Sequence, residues 1–144
     1  MITLVVLGIP IPWAAPTFSR GRTYDIRQKD KEAITGALKE QIKPHFNFPL
    51  LTACKLDLFF EMPIPKYWSK KKRLAFDVEW EQKNNVWHYK KPDRSNLVKL
   101  YEDCLEKAGV LSNDSLIVKG DSQKYYSPTP RTIILIQPLE DLCP

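Results

Sequence analysis

KPDRSNLVKLYEDCLEKAG, residues 91–109, is the stretch from which the fold is read. Leu97, Leu100, Tyr101, Cys104, Leu105 and Ala108 recur at i, i+3, i+4, i+7, i+8 and i+11, the spacing that lays one apolar stripe along a helix. Pro92 disfavours helical geometry at Lys91, so the helix opens after it. Asp93 stands at the mouth, where a carboxylate suits the unpaired N–H groups and the positive end of the helix dipole. Gly109 occupies the position of a left-handed C-terminal cap. The spacing therefore predicts a helix from Asn96 to Ala108. Asn96, Lys99 and Asp103 form a polar seam beside its apolar stripe, with Asp93 near the top.

Outward from this helix, the chain alternates between strand and helix signals. Upstream, Lys55 to Met62 alternates with period two: Leu56, Leu58, Phe60 and Met62 point one way, Lys55, Asp57, Phe59 and Glu61 the other. Pro63 and Pro65 end that strand. Before it, Ala33, Ile34, Ala37, Leu38 and Ile42 mark a helix from about Gln28 to Lys43, stopped by Pro44. The first segment, Thr3 to Ile9, reads as a strand. Pro10, Pro12 and Pro16 then impose an extended basic loop as far as Asp25. Downstream, strands are predicted around Leu116 to Val118, with a continuation toward Tyr125, and over Arg131 to Gln137. The order β-α-β-loop-α-β-β predicts an α/β (α+β) fold, with a mixed sheet of about four strands and two main helices packed on it. All 144 residues fit one small domain. Residues 66–91 read as a basic, aromatic-rich loop within it.

Composition narrows the class. The chain is 43% hydrophobic and 27% charged, and no apolar run nears the roughly 20 residues that span a bilayer. Met1 to Ile11 lacks a basic leader and a cleavage site, so it reads as a strand rather than a signal peptide. Cys54, Cys104 and Cys143 are odd in number and far apart. They argue against a disulfide framework or a zinc site and favour a reducing, cytoplasmic setting. Net charge is +5, and its distribution says more than its size. From Lys66 to Arg94 nine Lys or Arg residues face four acids, and three of the four tryptophans fall in the same stretch. That is the footprint of a polyanion partner. Lys70, Lys71, Lys72, Arg73, Lys90, Lys91 and Arg94 are the candidate phosphate contacts. Tyr67, Trp68, Trp80 and Trp87 are candidates either for stacking on opened bases or for packing in a core or a subunit interface. His45 and His88 are too far apart in sequence to suggest a metal pair.

Asp93 and Asp114 are the candidate chemical groups, and each has an ordinary alternative. Asp93 suits a helix cap, and Asn113-Asp114 suits a turn. Lys99 can pair with Asp103 four residues on. Taken together they fit phosphodiester hydrolysis. A divalent ion held by Asp93 and Asp114 would activate water or relieve the leaving oxygen of charge, with Lys99 as a fixed cation nearby.

The segment KPDRSNLVKLYEDCLEKAGVLSNDSLIVKGDSQKYYS resembles the signature region of RusA-type Holliday junction resolvases. The family pattern D-x-D-N-L-x-K, a third-turn Asp, a Gly turn and a D-D pair falls on Asp93, Asn96, Leu97, Lys99, Asp103, Gly109 and Asp114. Ile9-Pro10-Ile11-Pro12 and Met62-Pro63-Ile64-Pro65-Lys66 extend the likeness more loosely. The resemblance implies a RusA-like fold and a homodimer that makes paired nicks across a four-way DNA junction. It also implies Mg²⁺ as cofactor, with Mn²⁺ able to substitute. It makes Asp93 and Asp114 metal-binding and Lys99 the catalytic lysine. The pattern is broken at Ser95, where the family has Asp, and at Asn113, the first of the D-D pair. Magnesium needs few protein ligands and keeps several waters. Ser95 can offer a neutral oxygen and Asp103 a charge. The break leaves open a working site with altered ligands, a weakened enzyme, or a protein that binds structured DNA without cutting. A generic basic interaction protein is the third functional class.

Overall fold

The period-two pattern of β4 (Cys54–Pro63) organises the sheet. The computed structural model describes residues 1–140 and places β4 at its centre. On one side β4 pairs antiparallel with β7 (Arg131–Pro138), which pairs antiparallel with β1 (Ile2–Leu7). On the other side β4 pairs in parallel with two successive short strands, β5 (Ile117–Lys119) and β6 (Ser122–Ser127). Parallel neighbours require a long crossover, and the segment quoted above supplies it. The result is the expected mixed sheet, with five strands.

Two helices, α1 (Gln28–Ile42) and α3 (Arg94–Lys107), pack together in the core beside the sheet. Leu97, Leu100, Tyr101, Cys104 and Leu105 of α3 are buried against Leu56, Leu58 and Phe60 of β4 and Ile134 and Ile136 of β7. Each such apolar side chain contributes roughly 1.5–3 kcal/mol, which makes this contact the main fixed point of the molecule. The other face of the sheet carries Val5, Phe59, Ile133 and Leu135 only half-buried. Glu61 breaks the outward alternation, being 2% exposed. Its carboxylate accepts from Ser127 Oγ at 2.8 Å and Arg131 Nε at 3.2 Å, so the charge is paired where it is buried.

Two segments expected as loops contain structure. Within the proline-rich connection, β2 (Thr17–Ser19) and β3 (Arg22–Tyr24) form a separate two-stranded hairpin. Residues 66–91, read as a loop, contain α2 (Lys70–Glu81). Only Phe76 of this helix is buried, so its lysine-rich sequence shows no apolar stripe. Its local signal is the cap: Ser69 Oγ accepts from Lys72 N at 3.1 Å. Phe76 joins Trp68 and Tyr126 in a satellite core, with Trp80 packed on it. Trp68 is thus a packing residue, unavailable for stacking on bases. His45 packs edge-on against Phe48 and His88 against Tyr126, so they make no pair. Cys54 and Cys104 are buried free thiols, and Cys143 lies outside the described residues.

The junction between β5 and β6 is a tight backbone crossing. Gly120 has φ +143°, and a Cβ there would stand 1.7 Å from the Leu56 carbonyl oxygen. Beyond it Leu58 N donates to the Asp121 carbonyl and Asp121 N donates to Asp57 Oδ1. Gly109 also has positive φ but has open space around it. We therefore expect Gly120→Ala to cost roughly 2–4 kcal/mol and Gly109→Ala about 1 kcal/mol, measured by urea denaturation. Equal costs would contradict the crossing.

Candidate active site

Asp93 is the N-cap residue of α3 by backbone geometry, with φ −67° and ψ 141°, yet its side chain makes no capping hydrogen bond. Its exposed carboxylate remains available for other chemistry. The turn that presents it is pinned from the sheet. Lys124 on β6 donates through Nζ to the carbonyls of Lys90 and Pro92, each at 2.6 Å. Arg94 Nη1 donates to the Ser122 carbonyl at 3.0 Å. Burial holds the Lys124 ammonium below its usual pKa, with the negative charge of Asp93 acting against that and Arg94 reinforcing it. Asp93 therefore sits in a positive surround.

Further along α3, Lys99 Nζ lies 3.4 Å from the centroid of the Trp13 ring, a cation–π contact. Trp13 N donates to the Asn96 carbonyl at 2.9 Å, and Ile11 N to Tyr101 Oη at 3.3 Å. The proline-rich segment is thereby fastened along α3, and Lys99 is held by an aromatic ring. Asp103 goes elsewhere. Its Oδ2 lies 3.9 Å from Nζ of the buried Lys31, which also holds Asp25 at 2.7 Å. The Lys31 hydrogen bond lowers the Asp25 pKa. Asp103 thus serves an ion network between α3 and α1.

Asp114 begins a single 3-10 turn (Asp114–Leu116) packed on α3. Asn113 caps that turn, accepting from Ser115 N at 2.8 Å. Glu102 lies on α3, the helix against which this turn packs, and feels the charge of Asp114. Burial pushes the Glu102 carboxyl up, and the negative charge of Asp114 pushes it further. Glu102 lines a cleft of about 290 Å³ with Val98 of α3 and Lys119, Asp121 and Ser122 of the strand edge. Glu102 is the acid that the sequence reading missed. A signal existed: it follows Ser95 by seven residues, which at about 100° per residue returns it to the same side of the helix.

Glu102 and Asp114 thus stand on elements packed together, α3 and the 3-10 turn, while Lys124 and Arg94 fix the turn that carries Asp93. Among the described residues no three acidic, His or Cys side chains converge as a ready metal cage. The exposed carboxylates of Asp93 and Asp114 are hard oxygen donors of the kind that suits a cation retaining most of its water.

A family model described as Endodeoxyribonuclease RusA matches residues 8–137. The chain belongs to the RusA family. No curated protein matches it. The family is one of endodeoxyribonucleases, and the matched region runs from just after β1 through nearly all of β7.

The cations expected to meet DNA divide into two groups. Lys70, Lys71, Lys90, Lys91 and Arg94 are exposed, with no acid paired to them among the described residues. Lys72 leans on the Trp68 ring, 4.4 Å from its centroid. Arg73 is spent on structure, donating to the carbonyls of Trp68, Pro65 and Lys66 at 3.2, 3.3 and 2.9 Å. Tyr67, Trp87 and Tyr89 are the exposed rings of this region, while Trp80 stacks on Phe76. Arg73→Ala should destabilise the fold by roughly 1–3 kcal/mol, because three carbonyls lose their donor. Lys70→Ala with Lys71→Ala should change stability by less than about 0.5 kcal/mol each. That double variant should flatten the salt dependence of DNA affinity by up to about 2 in log–log slope. Denaturation and fluorescence anisotropy read the two effects separately, and the reverse pattern would overturn the division.

Proposed function

We propose that the protein is a Mg²⁺-dependent endonuclease that resolves Holliday junctions or related branched DNA by paired nicks, acting as a homodimer in the cytoplasm of a bacterial or phage-infected cell. The observation that carries the reading is membership of the RusA family, supported by an exposed Asp93 at the mouth of α3, an exposed Lys99 on that helix and an exposed Asp114 on the turn packed against it. Asp93 and Asp114 are the proposed metal-binding acids, and Glu102, which feels the charge of Asp114, is proposed to add negative charge near a site where Ser95 has none. Mg²⁺, or Mn²⁺ in its place, would supply activation of water and relief of charge on the leaving oxygen. Lys99 stands as a fixed cation for the charge that develops on the phosphate. Trp13 positions it by holding the ammonium from one side. Lys124 positions Asp93 by fixing the turn from Lys90 to Pro92. The half-buried apolar side chains Val5, Phe59, Ile133 and Leu135 support a second copy on the open sheet face.

One observation favours a second reading, a RusA-like protein that binds structured DNA without efficient cutting. Ser95 and Asn113 remove two family carboxylates, and no three acids converge among the described residues. One set of measurements separates the two readings. With Mg²⁺, the protein should nick a synthetic four-way junction symmetrically, and chelation should abolish cutting while leaving binding intact. Asp93→Asn should lower cutting by at least on the order of a hundredfold with binding retained. Glu102→Gln should weaken Mn²⁺ binding, measured by calorimetry without DNA, by roughly tenfold or more. Junction binding without any product at any Mg²⁺ or Mn²⁺ concentration would establish the second reading. Unchanged Mn²⁺ affinity in Glu102→Gln would remove Glu102 from the site.

A further inference from the structure

The β2–β3 hairpin has no structural reason to carry the side chains it does. Its strands pair only over Thr17↔Tyr24, Phe18↔Thr23 and Ser19↔Arg22, and they make no extended contact with any other element. A two-stranded hairpin standing alone is marginal in water. Phe18 is nonetheless 72% exposed and Tyr24 49% exposed. The two-residue tip has positive φ at both positions, 51° at Arg20 and 75° at Gly21. Such a turn favours Asn, Asp or Gly first, and a long side chain there costs conformational energy. An arginine held at the tip against local preference points to work outside the fold.

The hairpin's chemistry identifies the partner. No acid occurs before Asp25, so Arg20 and Arg22 project from a segment without internal counter-charge. Cross-strand register puts Arg22 with Ser19 and Phe18 with Thr23 on opposite faces. The element therefore offers a guanidinium edge on one side, a bare aromatic ring on the other, and a second guanidinium at the tip. Guanidinium groups suit phosphates, and an exposed ring suits an unstacked base. Its root is fixed beside the catalytic helix, because Trp13 is bonded to Asn96 and lies on Lys99. Trp13 to Thr17 spans at most about 14 Å of extended chain.

We propose that the β2–β3 hairpin is a DNA-contacting arm that grips the branch point, with Arg20 and Arg22 on backbone phosphates and Phe18 against an opened base. This rests on the branched-DNA reading above and adds to it a surface separate from the cations of residues 66–94. The test uses the full chain, a synthetic four-way junction carrying 2-aminopurine at its centre, and linear duplex of the same sequence. Arg20→Asn with Arg22→Gln removes both charges while giving the tip a better turn former. This variant should lower the log–log salt slope of junction affinity by about 2. Phe18→Ala should reduce junction affinity roughly tenfold or more, leave duplex affinity unchanged, and alter the 2-aminopurine fluorescence on binding. If wild type binds the junction and both variants bind it equally well, the hairpin assignment fails while the nuclease reading stands. If wild type itself shows no junction binding, both fall. A shift in the oligomeric state of Phe18→Ala, read by sedimentation without DNA, would make the hairpin a contact between copies and overturn its assignment to DNA.

Discussion

The burial of one face of α3 against β4 and β7 is the constraint on which the rest depends. Leu97, Leu100, Tyr101, Cys104 and Leu105 leave that helix a single rotational setting. Once it is set, every polar residue on α3 has its direction assigned. Glu102 turns to the cleft at the strand edge, Lys99 to the Trp13 ring, and Asp103 to Lys31 on α1. Rotating α3 to regroup these side chains would expose an apolar stripe worth several kcal/mol. The chemical edge of the molecule is thus a by-product of its core.

Charge on this protein is organised by what each group already holds. Lys31, Arg73, Lys124 and Arg131 are engaged with carbonyls or carboxylates and maintain the fold. Lys70, Lys71, Lys90, Lys91, Arg20 and Arg22 have no acidic partner among the described residues. A count of basic residues cannot separate these groups, since burial and geometry decide which cations are left for a polyanion. The same holds for the acids. Asp103 and Glu61 have partners, while Asp93 makes no capping bond and Asp114 is exposed.

Several elements were legible because their signals are local and periodic. The α3 stripe, the β4 alternation and the α1 pattern each repeat over two turns or more, and their observed bounds differ from the sequence reading by one or two residues. Helix α2 was not legible by this route. A helix that buries only Phe76 carries no stripe, and its stability comes from Trp68, Tyr126 and the carbonyls gathered by Arg73. The β2–β3 hairpin was hidden among prolines, since strands of three residues produce no usable period. Glu102 was not legible as a cleft residue because the strand edge that forms the cleft with it lies beyond a glycine turn.

The sequence by itself determined the fold class, the amphipathic helix that carries Asp93 and Lys99, and membership of the RusA family, because periodicity and residue spacing are properties of the chain. Only the tertiary structure decided where the remaining charges go. Long-range contacts sent Asp103 to Lys31, Arg73 to three carbonyls, Lys99 to Trp13 and Glu102 to the cleft at the strand edge. The physical reason is that a side chain's direction follows from how its element is buried, and burial is settled by residues distant in sequence.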